Sequence, residues 1–474
     1  MPTMAYAQTT NGETDAASAG RKADRTVLFV LFFICILLPL SISLGSLRLT
    51  PLRLFLIASF IPFVLQVVSG KVGRFHTADI LVFCFGGWIM LSMIAVHGME
   101  RVAYAGITVV ELIGGYVAGR VMIQSATQYK RFFNIYFIVL ILLAPLVLFE
   151  LYTARAPILD GLGGLASFGK NRTEFRFGLS RVQVSFSHSI LWGLFCSIAI
   201  GNLFYIYGKS FVRGSTYAGF ALSMTYSSLS SGPFLAGMLQ FLMILWDKIT
   251  KGKWKLLVIL FAIFYVTIDL LSNRTPIQII IEELTFSSHT GWYRIHIWRH
   301  GTDNVWDNPI FGLGLNDWKR ASWMTGSSVD NFWLLTTMRH GLPAIGFLFG
   351  AIGLSVLYTL RAKLTDPDIA RMRVGYLVTM AGLFFTLATV HVWEQLAVLV
   401  MFYIGMGSWF MTAGGDQPPP SETTPETEAP PSSRYSRRAP KPSRRAQGKH
   451  QPAKPGRPAR SARRTNPQRR PISE

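Results

Sequence analysis

Apolar runs of about twenty residues recur along almost the whole chain, and no other feature constrains its fold so strongly. Twenty helical residues span about 30 Å at 1.5 Å each, the thickness of a bilayer's hydrocarbon core. Only 15% of the 474 residues are charged and 50% are hydrophobic, against about 25% charged in a soluble domain. The sequence therefore predicts an all-α polytopic integral membrane protein. About twelve transmembrane helices are expected, near 27–45, 50–69, 79–97, 102–122, 132–152, 187–207, 215–230, 232–247, 254–272, 342–360, 374–392 and 395–413. Arg21, Lys22 and Arg25 precede the first run and no small-residue cleavage site follows it, so it reads as an uncleaved anchor. Cys35, Cys84 and Cys196 all lie within apolar runs without metal-ligand spacing and read as small core residues.

Charge divides the connections into two sets. One set carries Lys71 and Arg74; Lys130 and Arg131; Lys209 and Arg213; Lys248, Lys251, Lys253 and Lys255; and Arg361, Lys363, Arg371 and Arg373. The positive-inside rule makes these cytoplasmic, with both termini on the same side. Residues 1–26 then form a cytoplasmic N-terminal segment, and 27–413 the membrane domain. Residues 414–474 read as a disordered, basic, Pro-rich cytoplasmic tail, and much of the net charge of +21 resides there. Its Arg and Lys have little interleaved aromatic character beyond Tyr435, so anionic lipid headgroups suit it better than nucleic acid.

Two long connections remain for the outer, periplasmic face, near 153–186 and 273–341. Both are rich in arginine where topology disfavours it. The first holds Arg155, Lys170, Arg172, Arg176 and Arg181; the second holds Arg274, Arg294, Arg299, Lys319, Arg320 and Arg339. An anionic ligand is the simplest reason for cations there. The second connection also crowds Trp292, Trp298, Trp306, Trp318, Trp323 and Trp333, which suit either sugar stacking or a membrane interface. Glu111 falls mid-span, where a carboxylate is costly unless paired or hydrated; Glu150, Asp269 and Glu394 fall near span ends and are expected to reach the interface.

Within 273–341, a helical stretch from Arg294 to about Trp306 is expected to stop at Asn308-Pro309, with a turn at Gly312-Leu-Gly314. Asp330 reads either as a general base or as the cap of the helix that re-enters the membrane. If 330–341 were helical throughout, Asp330 and Arg339 would share related faces.

These motifs resemble the O-antigen ligase and polymerase superfamily. The resemblance rests on Arg294 to Trp298, Asn308-Pro-Ile-Phe-Gly312-Leu-Gly314, Asp330-Asn331-Phe-Trp-Leu334 and Gly341-Leu342. Arg181-Val-Gln-Val-Ser-Phe-Ser-His188-Ser-Ile-Leu-Trp-Gly193 is similar to a pattern of exopolysaccharide polymerases, with Ser189 where proline is usual. Thr225 to Phe234 resembles the family's serine-rich turn. The resemblance implies a GT-C-like membrane glycosyltransferase acting on undecaprenyl-diphosphate-linked oligosaccharide in the bacterial inner membrane; no acidic pair has an evident magnesium-binding spacing, so arginines are expected in place of a metal and no cofactor is expected. Ligases more often have histidine where Asp330 stands, which favours a polymerase of O-antigen or exopolysaccharide over a ligase to lipid A core or protein. A lipid-linked sugar flippase or transporter is the other class, kept open by Glu111. Chain-length regulators or export proteins are the possible protein partners.

On this reading the catalytic candidates are Asp330, Arg294 and His188, the last as base, donor to the acceptor or plain interfacial residue. Arg181, Arg176, Arg339, Asn331 and Trp298 are candidates for binding pyrophosphate or sugar. Arginine suits a pyrophosphate because its planar fork bridges two oxygens and stays charged.

Overall fold

Proline and glycine set many of the boundaries of the apolar runs. The computed structural model describes residues 25–44, 47–168, 174–273, 275–284 and 286–413. The N-terminal segment before Arg25, the basic tail, and Lys170, Arg172 and Arg274 of the outer connections lie outside the described residues.

Helix α1 (Arg25–Leu37) is shorter than the span expected at 27–45. Pro39 disfavours helical geometry in the residue before it, and the chain turns instead into a small hairpin, β1 (Ile42–Leu44) with β2 (Leu47–Leu49), paired antiparallel. Then follow α2 (Pro51–Val68), α3 (Thr77–His97), α4 (Val102–Met122), α5 (Ala126–Thr153), the short α6 (Pro157–Leu162) and a second hairpin, β3 (Phe175–Arg176) with β4 (Leu179–Ser180). The chain continues through α7 (Ser189–Tyr207), α8 (Phe211–Ser227), α9 (Ser231–Thr250), α10 (Trp254–Leu271), α11 (Pro276–Leu284), α12 (Ser288–Asp307), α13 (Phe332–Arg361), α14 (Pro367–Thr389), α15 (Glu394–Met406) and α16 (Trp409–Ala413).

Each of the twelve expected spans has a helical counterpart, but among the described residues eight helical stretches are long and apolar enough to cross a membrane, one of them comprising both α3 and α4. Besides α1, α8 is only 17 residues long, and Gln240, Asp247 and Lys248 make α9 more polar. The chain is an all-α polytopic membrane protein.

The centre of the bundle is α7, apolar on every side and buried along most of its length, as such a helix must be when its neighbours enclose it. It packs on α8, α9 and α14, while α15 packs on α4. The latter pair approach closely because they lack side chains at the crossing. A Cβ on Gly119 would stand 2.1 Å from the Phe402 carbonyl, and one on Gly405 2.1 Å from that of Tyr116. Several polar groups inside this packing pair with one another. Asn202 binds Thr379 at 3.1 Å and Tyr403 at 3.0 Å, and Arg120 reaches the fully buried Asp79 at 2.7 Å. Glu111 is paired too, with Arg53 at 2.7 Å, which supplies the partner that a carboxylate in a span requires.

Glu150 departs from the expectation that it reaches the interface. It is fully buried and accepts hydrogen bonds from the backbone N–H groups of Gln183 (3.1 Å) and Val184 (3.0 Å). The end of α5 thereby grips the segment that leads into α7. Asp269, by contrast, is exposed.

Candidate functional site: an arginine cluster facing a carboxylate

The segment before α7 carries Arg176, Arg181 and His188, and it is held from two sides. Glu150 holds it from one side as described. From the other, the serine-rich turn between α8 and α9 offers its carbonyls: Ser228 O accepts from Arg181 Nε at 3.3 Å, and Leu229 O from Arg176 Nη1 at 2.9 Å. The Ser227 carbonyl accepts from Val182 N at 3.2 Å. The turn can present these carbonyls because Leu229 adopts a left-handed φ of 46°. Arg181 also pairs with Glu174. Burial alone would raise the Glu174 pKa, but the hydrogen bond and charge of Arg181 bring it below the usual glutamate value.

His188 is the N-cap of α7, its Nδ1 accepting from Ile190 N at 3.1 Å. Burial, then the nearby Arg181, lowers its pKa to about 4. At neutral pH the ring is uncharged, and since Nδ1 is an acceptor its proton sits on Nε2. In this state Nδ1 is engaged in the cap and Nε2–H is the ring's donor.

The polar 273–341 region is more structured than a loop. Helix α12 runs from Ser288 to Asp307, as expected for its central part, and packs on the first turns of α13 through a small core of its own: Ile297, Val305, Trp318, Met324, Val329, Leu334 and Met338. This core fixes Arg294 relative to Asp330, whose carboxylate lies 3.6 Å from the guanidinium. The Arg294 Nε is buried without a hydrogen-bond partner among the described residues. Burial lowers the Arg294 pKa from its ordinary value, Asp330 opposes that shift, and the like charge of Arg181 adds to it. Arg176 is likewise lowered, by burial first and then by Arg181, with Glu174 opposing and Arg294 adding. These mutual effects place the three arginines in one electrostatic cluster, although they come from connections more than a hundred residues apart.

Asp330 does not cap α13. Asn331 does, its Oδ1 accepting from Leu334 N at 2.9 Å, so Asn331 is a buried positioning residue one step after the carboxylate. Because the helix starts at Phe332, Asp330 and Arg339 do not share a helical face. Arg339 instead sits just before a break, and the Asn-Pro-x-x-Gly-x-Gly motif exists to meet that break. Gly341 has φ 78° and Pro343 has no N–H, so the Met338 and Arg339 carbonyls lose their helical donors. Leu313 N takes the first at 2.7 Å and Gly314 N the second at 3.0 Å, while Leu342 N turns to Pro309 O at 2.7 Å. The approach leaves no room for side chains: a Cβ on Gly341 would lie 1.9 Å from Ile310 O. The motif is thus a backbone clasp.

Among the tryptophans, Trp318 and Trp333 are buried structural residues, Trp318 Nε1 donating to Ser327 O at 3.0 Å and Trp333 lying against Phe349 and Phe384. Trp298 lies one turn after Arg294 and is 54% exposed, available to a ligand.

Fold and site together define a multi-pass membrane protein that gathers partly buried arginines beside Asp330 and Glu174. A protein-family model described as O-antigen ligase matches residues 216–349, from α8 through the serine-rich turn, α12, the clasp and Asp330. The match supports membership of the O-antigen ligase/polymerase superfamily and a function of that general type. The matched region stops short of Arg176, Arg181 and His188, which the fold brings to it. Among curated proteins none matches the chain.

Proposed function

We propose that the chain is a metal-independent membrane glycosyltransferase that joins undecaprenyl-diphosphate-linked oligosaccharide repeats into O-antigen or exopolysaccharide at the periplasmic face of the inner membrane, with both termini cytoplasmic. The observation that carries the reading is the 3.6 Å approach of Arg294 to Asp330 beside Arg176 and Arg181. In the transfer, the anomeric carbon–oxygen bond to the diphosphate breaks and its electron pair leaves on the phosphate oxygen. An acceptor hydroxyl forms the new bond to the anomeric carbon and gives its proton to Asp330. Arg294, with its uncommitted Nε, and the cluster behind it stabilise the charge growing on the leaving diphosphate. An arriving diphosphate competes with Asp330 for Arg294, and so frees the carboxylate for the hydroxyl. His188 Nε2–H donates to a sugar or phosphate oxygen, and Trp298 offers a ring face to the glycan.

The test is the glycan ladder made by purified protein from a lipid-linked repeat. Arg294→Ala should leave the protein in the membrane but lower extension about a hundredfold or more, the scale of losing one donor to a developing oxyanion. Arg294→Lys should recover only part, since an ammonium lacks the fork. Normal ladders from Arg294→Ala and Arg181→Ala together would overturn the mechanism. In cells, long chains left on the carrier in a null strain would instead indicate a ligase.

A further inference from the structure

A cavity of about 400 Å3 adjoins the arginine cluster without being lined by Arg176, Arg181, Arg294 or Asp330. Its walls come from β2, α2, α3, the turn into α4 and α4 itself, the first turns of α13 and residues 391–397. Its volume lies in the range of small-ligand pockets, roughly 300–1,000 Å3.

The protein leaves hydrogen-bonding capacity unspent around this cavity. Arg53 is occupied by Glu111, but the Arg339 side chain has no ion pair or hydrogen bond among the described residues. His391 Nδ1 and Glu394 Oε2 are buried atoms with no partner among them either. Buried polar atoms are nearly always paired in folded proteins, so two such atoms beside an uncommitted, half-buried arginine in one cavity are unlike ordinary core. Glu394 also holds a left-handed φ of 51°, a strained conformation for a residue with a side chain. Tyr104 and Trp393 add aromatic surface.

The same wall touches the transfer site. The His391 ring stacks on Phe332 with centroids 6.3 Å apart, two residues after Asp330. Trp393 Nε1 donates to Ser187 Oγ at 2.8 Å, directly before His188.

We infer that this cavity holds the terminal sugar of the acceptor glycan, with Glu394 accepting from its hydroxyls, His391 bonding a further hydroxyl and Arg339 donating to its oxygens. A pyranoside carries the mixture of donors and acceptors that these groups lack, and an apolar ring face for Tyr104 or Trp393. The inference rests on the glycosyl-transfer reading above.

Initial rates should be measured with purified full-length protein, using a lipid-linked repeat as donor and the same oligosaccharide on a short alkyl chain as acceptor. Glu394→Gln and Arg339→Lys should each raise the acceptor KM about tenfold, the scale of losing a charge-assisted hydrogen bond, while the donor KM stays as in the wild type. Tyr104→Leu, at the cavity's partly exposed rim, should raise the acceptor KM without removing a charge. Unchanged acceptor KM in all three, or an equal rise in donor KM, overturns the assignment while leaving the transferase reading standing. A wild-type protein that extends nothing overturns that reading first, and this one with it.

Discussion

At the scale of single residues, the site is a contest between desolvation and charge, and His188 reports it most directly. Its folded pKa of about 4 lies below the unfolded value near 6.5. Between those values the unfolded chain binds a proton that the folded one refuses, so stability rises with pH across the window. This contribution is complete above about pH 6.5 and is lost progressively as pH falls toward 4. Thermal unfolding in detergent should therefore show a steeper loss between pH 6.5 and 4 for the wild type than for His188→Gln; parallel curves would refute a buried neutral histidine. The residues of this site were partly legible in the sequence. Arginines in outer connections announced themselves by defying the charge rule, and Arg176, Arg181 and Arg294 do converge. Asp330 and Asn331 had their parts divided only by the structure, because either side chain caps a helix well and nothing in Asp-Asn tells which does. His391 carries no sequence signal and Glu394 reads only as a span-end carboxylate, since a cavity formed by several separate segments leaves no local pattern.

At the scale of elements, the break in α13 is the feature on which the outer region depends. Gly341 combines a left-handed backbone with a contact that excludes any Cβ, whereas Gly346, one turn further along the same helix, faces open space. Gly341→Ala should therefore destabilise the protein by more than about 2 kcal/mol and dissociate the clasp. Gly346→Ala should be neutral or stabilising by up to about 1 kcal/mol, because alanine is the better helix former. Melting temperatures of the two variants against wild type decide the matter; equal shifts would mean that the clasp bears little strain. Helix positions are readable from apolar runs and their punctuation. The clasp is not, although Gly312, Gly314 and Gly341 stand in the motifs, because their use is to let two distant backbones touch.

At the scale of the whole molecule, the charge pattern sets an expectation of sidedness. Lys251, between α9 and α10, and Thr302, on α12, are separated by one apolar helix and should face opposite sides of the membrane. Cysteine placed at each position in a chain lacking Cys35, Cys84 and Cys196 should react with a membrane-impermeant maleimide from opposite sides in intact spheroplasts and inverted vesicles. Labelling of both from one side would remove the outward placement of the arginine cluster. Helix α10 itself gives this arrangement a further meaning. None of its residues is buried by the rest of the protein, yet its mean hydropathy of 2.1 is among the higher values of any span. Lipid can therefore cover most of it, since its backbone bonds are internal and, apart from Trp254 against the main core, its side chains make little use of protein neighbours. During biogenesis such a helix can partition into the bilayer before the bundle around α7 has assembled, and, if the expected sidedness holds, α11 and α12 cross with it. Arg294 would then reach its side of the membrane early, and assembly of the bundle would only have to bring the other arginines to it.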